Sequence, residues 1–213
     1  MVAINNLRRR VIGEIFDYQQ LIDCLREYAK PRDKITAMLE AKEIIRVKKG
    51  LYVFGRDYRR RPWSRENVAN LIYGPSYISL DYALSHYGFI PEGVLVVTSV
   101  TISKARKFET PLGMFTYRSL SMRKYDIGID QQSGESDQPY LIATPAKALA
   151  DKVWTDTRCT PRKAGDFEAY LLDDLRIDTD ALGQLDLFDL STIADRYGSR
   201  KIRLLRDYVE GMA

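Results

Sequence analysis

Residues 18–54 read YQQLIDCLREYAKPRDKITAMLEAKEIIRVKKGLYVF, and this stretch decides the fold. Apolar residues recur at helical spacing on both sides of Pro31, and proline disfavours helix in the residue before it, so two short helices are predicted. Two β-prone runs then surround Lys48-Lys49-Gly50, which predicts a β-hairpin. Two helices followed by a hairpin with a basic tip are typical of a winged helix-turn-helix.

The flanking sequence adds a helix before this stretch. Ile4, Leu7 and Val11 recur at helical spacing, and Asp17 is placed to cap the helix that follows it. A Pro at the first turn is compatible with the start of the third helix. The predicted helices of the N-terminal module cover about residues 3–12, 18–27 and 31–42.

A winged helix-turn-helix has one dominant use, which is to place its third helix in the major groove of DNA. We expect Arg32 and Thr36 to lie nearest the base edges. The lysines are expected to contact phosphates, which position the module without reading sequence. The predicted DNA-binding residues are Lys30, Arg32, Lys34, Thr36, Lys42, Arg46, Lys48 and Lys49.

The charge distribution supports this interpretation. Residues 1–65 hold 16 Lys/Arg against 8 Asp/Glu, whereas residues 66–213 hold 17 against 21, within an overall net charge of +4. An excess of positive charge in one third of the chain is the expected footprint of phosphate binding. Two alternatives remain open, a protein-binding winged helix and a solvated basic face.

A second domain is predicted after a basic linker, with the boundary between residues 1–60 and 61–213. The linker, residues 56–65 (RDYRRRPWSR), is expected to lie along the DNA backbone. Single-stranded nucleic-acid binding is the alternative, because aromatic residues are interleaved with the basic ones.

The second domain is predicted to be mixed α/β, with a small sheet followed by helices, so that the whole chain is of the α+β class. Its expected strands cover residues 93–102, 105–109, 114–119 and 140–143, and residues 131–138 are expected to form an exposed loop. Thr144-Pro145 and Thr160-Pro161 each predict a helix start. The expected helices cover residues 64–73, 80–87, 145–155, 161–173, 191–197 and 200–210.

Several segments, taken in order, resemble the AbiEi antitoxins, the antitoxin halves of bacterial AbiE-type toxin–antitoxin systems. The hairpin segment KKGLYVFG is generic, whereas the segments from YISL to GFIPE (residues 77–92) and TPAKALADK (residues 144–152) are more specific. The segments that carry the resemblance are residues 48–55, 77–88, 97–101 (VTSVT), 110–117 (TPLGMFTY) and 143–154.

The resemblance implies a winged helix that binds operator repeats in the protein's own promoter. It also implies a C-terminal domain that supports repression and counteracts a nucleotidyltransferase-like toxin without forming a stable complex with it. The DNA-contacting role of the family corresponds here to Lys30, Arg32, Lys34, Thr36, Lys48 and Lys49. A stand-alone regulator without a toxin partner is the alternative.

The sequence favours a binding protein over an enzyme. His86 is the only histidine, which argues against a Ser-His-Asp or Cys-His site, and no catalytic residue, metal or cofactor is expected. The best enzymatic alternative is a metal-dependent nuclease, whose carboxylates would come from Asp166 and Glu168 or from Asp173 and Asp174. With no signal peptide, no membrane-spanning stretch and two reduced cysteines, a cytoplasmic location is expected.

Overall fold

The computed structural model describes residues 2–134 and 138–212 and shows a mixed α+β protein with two β-sheets. The α+β class predicted from the sequence is therefore confirmed. We refer to residues 2–60 as the N-terminal unit and to residues 61–212 as the C-terminal unit. The elements of the N-terminal unit are α1 (Val2–Arg10), β1 (Ile15–Asp17), α2 (Tyr18–Cys24), α3 (Pro31–Glu40), β2 (Ile44–Lys48) and β3 (Leu51–Phe54).

The strands of the N-terminal unit form one antiparallel sheet in the order β1-β3-β2. The predicted hairpin of β2 and β3 is confirmed, and Gly50 at its tip has a φ of 88°, a conformation that favours glycine. Strand β1 was not predicted because it has only three residues. Asp17 ends β1 and caps α2, since its side chain accepts a hydrogen bond from the backbone N–H of Gln20.

The hairpin is buried on both faces. Tyr52 and Phe54 belong to the apolar core of the N-terminal unit, whereas Leu51 and Val53 belong to the core of the C-terminal unit. Successive residues of a strand point to opposite faces, so β3 joins the two cores by simple alternation. The hairpin is therefore a shared layer between the two units.

The C-terminal unit is built on a six-stranded sheet in the order β6-β7-β5-β4-β9-β8. Its pairings are antiparallel except for β5 with β7 and β4 with β9. The elements are α4 (Arg65–Ile72), β4 (Ser76–Ile78), α5 (Leu80–His86), β5 (Val97–Thr101), β6 (Arg106–Thr110), β7 (Gly113–Ser119), α6 (Met122–Tyr125), β8 (Ile129–Ser133), β9 (Pro139–Ala143), α7 (Pro145–Thr155), α8 (Thr179–Gly183), α9 (Leu187–Tyr197) and α10 (Arg200–Glu210).

Three sequence predictions for the C-terminal unit were wrong. The strand expected over residues 93–102 is shorter and covers only Val97–Thr101. Residues 131–133 were expected in a loop, but they pair with β9 as part of the edge strand β8, whose polar side chains hid it from pattern reasoning. Residues 135–137 of the same predicted loop lie outside the described residues. The helix expected to start at Pro161 instead begins with a 3₁₀ turn at Ala164–Asp166 and continues as a π-helix at Ala169–Asp174.

The other predicted helix start in this unit is confirmed. Thr144 caps α7 by accepting a hydrogen bond from the backbone N–H of Lys147, and Pro145 is the first helical residue. Helix α7 lies at the centre of the unit, where it contacts α5, α9 and α10, and its residues 146–151 are all buried.

Candidate nucleic-acid interface

The hairpin tip lies beside the starts of α2 and α3. The backbone N–H of Tyr18, the first residue of α2, donates to the carbonyl oxygen of Gly50 at 3.0 Å. Tyr18 also lines a cleft of about 560 Å³ together with Lys30 and Arg32 at the start of α3. We call Tyr18, Lys30, Arg32 and Lys49 the tip surface, because these contacts bring them to one end of the N-terminal sheet.

Most of the predicted DNA-binding cations are exposed and unpaired. Among residues 2–134 and 138–212, no ion-pair or side-chain hydrogen-bond partner is present for five of the eight predicted site residues. These residues are Lys30, Arg32, Lys42, Arg46 and Lys49. A cation that is not neutralised by a carboxylate within the chain can attract an anion from solution. These five residues are therefore available to bind one.

Helix α3 presents its predicted polar face to solvent. Ile35 and Met38 are buried, as expected, while Arg32 and Thr36 are exposed one turn apart. The Thr36 hydroxyl donates to the carbonyl oxygen of Arg32 at 3.2 Å. The ammonium of Lys34 lies 5.9 Å from the centre of the Tyr28 ring, at the outer limit of a cation–π contact.

Lys48 is placed differently from the other cations. Its ammonium donates to the carbonyl oxygen of Ile72, at the end of α4 in the C-terminal unit. The side chain is half-buried, and desolvation lowers the pKa of Lys48 from its ordinary value. The sequence interpretation gave Lys48 a phosphate as its partner, and the structure gives it this backbone carbonyl.

A β-bulge explains the direction of Lys48. The register of β2 against β3 shifts between Arg46 and Lys48, so that Arg46 lies opposite Tyr52 and Lys48 lies opposite Leu51. Without the shift, Arg46 and Lys48 would share a face. The extra residue, Val47, turns Lys48 to the face of Leu51, which packs on the C-terminal unit.

The basic linker starts at the opposite end of the N-terminal sheet from the tip surface. The backbone N–H of Gly55, just after β3, donates to the carbonyl oxygen of Glu43, just before β2, at 2.8 Å. A β-carbon at Gly55 would lie 1.9 Å from the carbonyl oxygen of Lys42, so this close approach requires glycine. The linker therefore starts at the base of the hairpin, about 15 Å from its tip if each strand residue adds about 3.3 Å.

An ion pair that the sequence interpretation missed holds the linker to α1. Glu14 is 1% exposed, and its carboxylate accepts from the Arg8 guanidinium at 2.7 Å and from the backbone N–H of Arg60 at 3.3 Å. The Arg60 guanidinium donates to the carbonyl oxygen of Arg8 at 3.0 Å. Since Glu14 and its partners are far apart in sequence or separated by a turn, no periodic pattern indicates this cluster.

A second charge network lies in the core of the C-terminal unit. Lys147 and Asp151 on α7 are fully buried, and the Lys147 ammonium lies 2.7 Å from the Asp151 carboxylate. Lys147 also donates to the Tyr197 hydroxyl and to the Lys124 carbonyl oxygen, both at 2.7 Å. Asp151 accepts in addition from the hydroxyls of Tyr77, Ser79 and Tyr197. Every charged group in this network is satisfied internally, so it has a structural role.

The carboxylates considered for a nuclease do not form a metal site among the described residues. Across residues 2–134 and 138–212, no three His, Cys, Asp or Glu side chains are close enough to hold a metal ion. Asp166 instead accepts from the backbone N–H groups of Arg162 and Lys163, and these bonds lower the pKa of its carboxyl. The His86 ring lies 3.1 Å from the Gln132 side-chain oxygen.

The sequence matches no protein-family model, and no curated protein matches it at a significant level. In the part of the chain that the structure describes, no helix has both the length and the apolar character needed to cross a membrane.

Proposed function

We propose that the protein is a sequence-specific, double-stranded DNA-binding regulator whose N-terminal unit is a winged helix-turn-helix. Helix α3 would enter the major groove, and the hairpin tip would lie on the flanking backbone. More particularly, we propose that it is a cytoplasmic autorepressor and antitoxin of the AbiEi type. It would bind operator repeats in its own promoter and counteract a nucleotidyltransferase-like toxin without a stable complex.

The observation that carries this proposal is the tip surface. Tyr18 joins the start of α2 to the hairpin tip and lines a cleft with Lys30 and Arg32 at the start of α3. Those two cations and Lys49 of the hairpin are exposed and have no ion-pair partner among the described residues. Phosphate contacts need exposed cations on a fixed surface, and base contacts need a helix whose polar face is free. Arg32 and Thr36 supply that face on α3. The antitoxin part of the proposal rests on the resemblance of the sequence alone.

The DNA-binding proposal is tested by footprinting the purified protein on the DNA upstream of its own gene, followed by titration of variants. Arg32→Ala should weaken binding and relax base preference at one position by about 1–3 kcal/mol, if Arg32 makes a bidentate base contact. A matched control is Arg203→Ala, which removes an exposed arginine from α10 in the C-terminal unit.

Absence of a protected region under low-salt conditions would overturn the DNA-binding proposal. Equal losses for Arg32→Ala and Arg203→Ala would remove α3 as the reading element. Cleavage of the DNA that depends on Mg²⁺ would favour the nuclease alternative.

The antitoxin proposal is tested by co-expression with the product of a neighbouring gene, if that gene encodes a nucleotidyltransferase-like protein. Growth arrest by that product alone, and growth in the presence of this chain, is the expected result. Growth arrest that this chain does not relieve would leave the stand-alone regulator as the better account.

A further inference from the structure

The end of α4 connects the hairpin tip to the C-terminal unit. Lys48, next to the tip, donates to the carbonyl oxygen of Ile72, which is the last residue of α4. Tyr73 follows Ile72 directly and packs edge-on against Tyr117 of the six-stranded sheet, with ring centres 5.3 Å apart. The tip of the N-terminal hairpin therefore lies close to the β6–β7 side of the large sheet.

Two independent contacts bring a basic segment to the same place. The guanidinium of Arg106, at the start of β6, lies 5.4 Å from the centre of the Tyr73 ring. The Thr101 hydroxyl, at the end of β5, donates to the carbonyl oxygen of Pro75 at 2.8 Å. Lys104 lies in the connection between these two anchored residues. Both Lys104 and Arg106 are exposed, and β6 is an edge strand of its sheet.

We propose that Lys104 and Arg106 form a second phosphate-binding surface, which extends the tip surface onto the C-terminal unit. The ligand would be the sugar-phosphate backbone of the same duplex, next to the segment bound by Lys49. This inference rests on the proposed DNA binding. The resemblance implies that the C-terminal domain supports repression, and the inference names Lys104 and Arg106 as residues through which that domain would contact the duplex directly.

The ion pairs of this segment favour Lys104 and Arg106 over Lys107 as phosphate-binding residues. Lys107 pairs with Glu109 at 2.9 Å, so its charge is offset within the strand. In the described residues, Lys104 and Arg106 have no carboxylate partner, and Arg106 contacts an aromatic ring that leaves its N–H groups open to an anion. The basic linker is the rival surface, but it starts at the base of the hairpin, at the far end from the tip.

The test compares two double variants in the full-length protein. Lys104→Gln/Arg106→Gln removes two charges beside the tip, and Arg9→Gln/Arg10→Gln removes two exposed charges near the linker. Each lost phosphate contact should reduce the slope of log K against log salt by about 0.9. The Lys104→Gln/Arg106→Gln variant, called the β6 variant below, should therefore show a slope reduced by about 1.8. Its hydroxyl-radical footprint should be shorter on one side.

Unchanged circular dichroism is required of both variants, and Lys107→Gln serves as a control on the same strand. An unchanged slope and footprint for the β6 variant, with Arg32→Ala still impaired, would overturn this inference and leave the proposed function intact. A larger loss for the Arg9→Gln/Arg10→Gln variant than for the β6 variant would assign the second surface to the linker side instead. A wild-type protein that does not bind the promoter would overturn both proposals.

Discussion

The core of the C-terminal unit and the tip surface of the N-terminal unit differ in how their charges are paired. In the C-terminal unit, Lys147 and Asp151 lie at the centre of the core with every polar contact supplied by the chain itself. In the N-terminal unit, Arg32 and Lys49 lie at the surface and have no carboxylate partner among the described residues. The difference separates charges that hold the fold together from charges that remain available to a ligand.

Lys48 and Lys49 are neighbours in sequence, but one has a partner within the chain and the other is exposed. Lys48 belongs by sequence to the basic hairpin tip, but its ammonium caps the end of α4. In having a partner within the chain, it therefore resembles Lys147 of the buried network, although it is next to Lys49. A single β-bulge makes this difference between two neighbouring lysines.

The largest effect is expected from breaking the buried network. Lys147→Ala would leave the Asp151 carboxylate buried without its cation, which should lower the free energy of unfolding by about 3–5 kcal/mol. Lys152 follows Asp151 in the chain and pairs with Asp81, and this ion pair is partly solvated. Lys152→Ala should therefore lower the free energy of unfolding by no more than about 1 kcal/mol. Urea denaturation measures both values. Equal losses would contradict the structural role given to Lys147.

A smaller change in the free energy of unfolding is expected from the buried Tyr197 when the pH is raised. Burial, together with the negative charge of Asp151, raises the pKa of Tyr197 far above its ordinary value near 10. The folded state therefore keeps its proton while the unfolded chain loses it. The stability that this difference contributes is complete below pH 10 and is lost as the pH rises further.

Urea midpoints at pH 8 and pH 11 test this expectation. The wild-type protein should be less stable at pH 11, and the stability difference between wild type and Tyr197→Phe should be smaller at pH 11 than at pH 8. A difference that stays the same or grows with pH would contradict the account of Tyr197.

The sequence predicts those parts of the fold that depend on local patterns. Asp17 and Thr144 cap helices as expected, because a cap needs only a short side chain in front of an apolar periodic run. The hairpin was predicted from its β-prone runs and its glycine. Strand β8 was missed, because an edge strand with exposed Asp130 and Gln131 has no apolar alternation.

The candidate site was predictable in composition but not in geometry. Lys30, Arg32 and Lys49 were expected to be exposed, and they are. The direction of the Lys48 side chain depends on a β-bulge that no pattern of residues in the sequence predicts. Lys147 and Asp151 are four residues apart on a helix, a spacing that a solvated surface pair also has, so only tertiary packing reveals their burial.

The central claim is that the exposed cations of the tip surface bind DNA phosphates, and Lys49 and Lys48 test it most directly. The measurement is the salt dependence of binding to the promoter DNA for wild type, Lys49→Met and Lys48→Met. The account predicts that Lys49→Met reduces the slope of log K against log salt by about 0.9, as expected for one lost phosphate contact. Lys48→Met should leave the slope unchanged, because its ammonium binds the carbonyl oxygen of Ile72. An unchanged slope for Lys49→Met, or an equal reduction for both variants, would contradict the account.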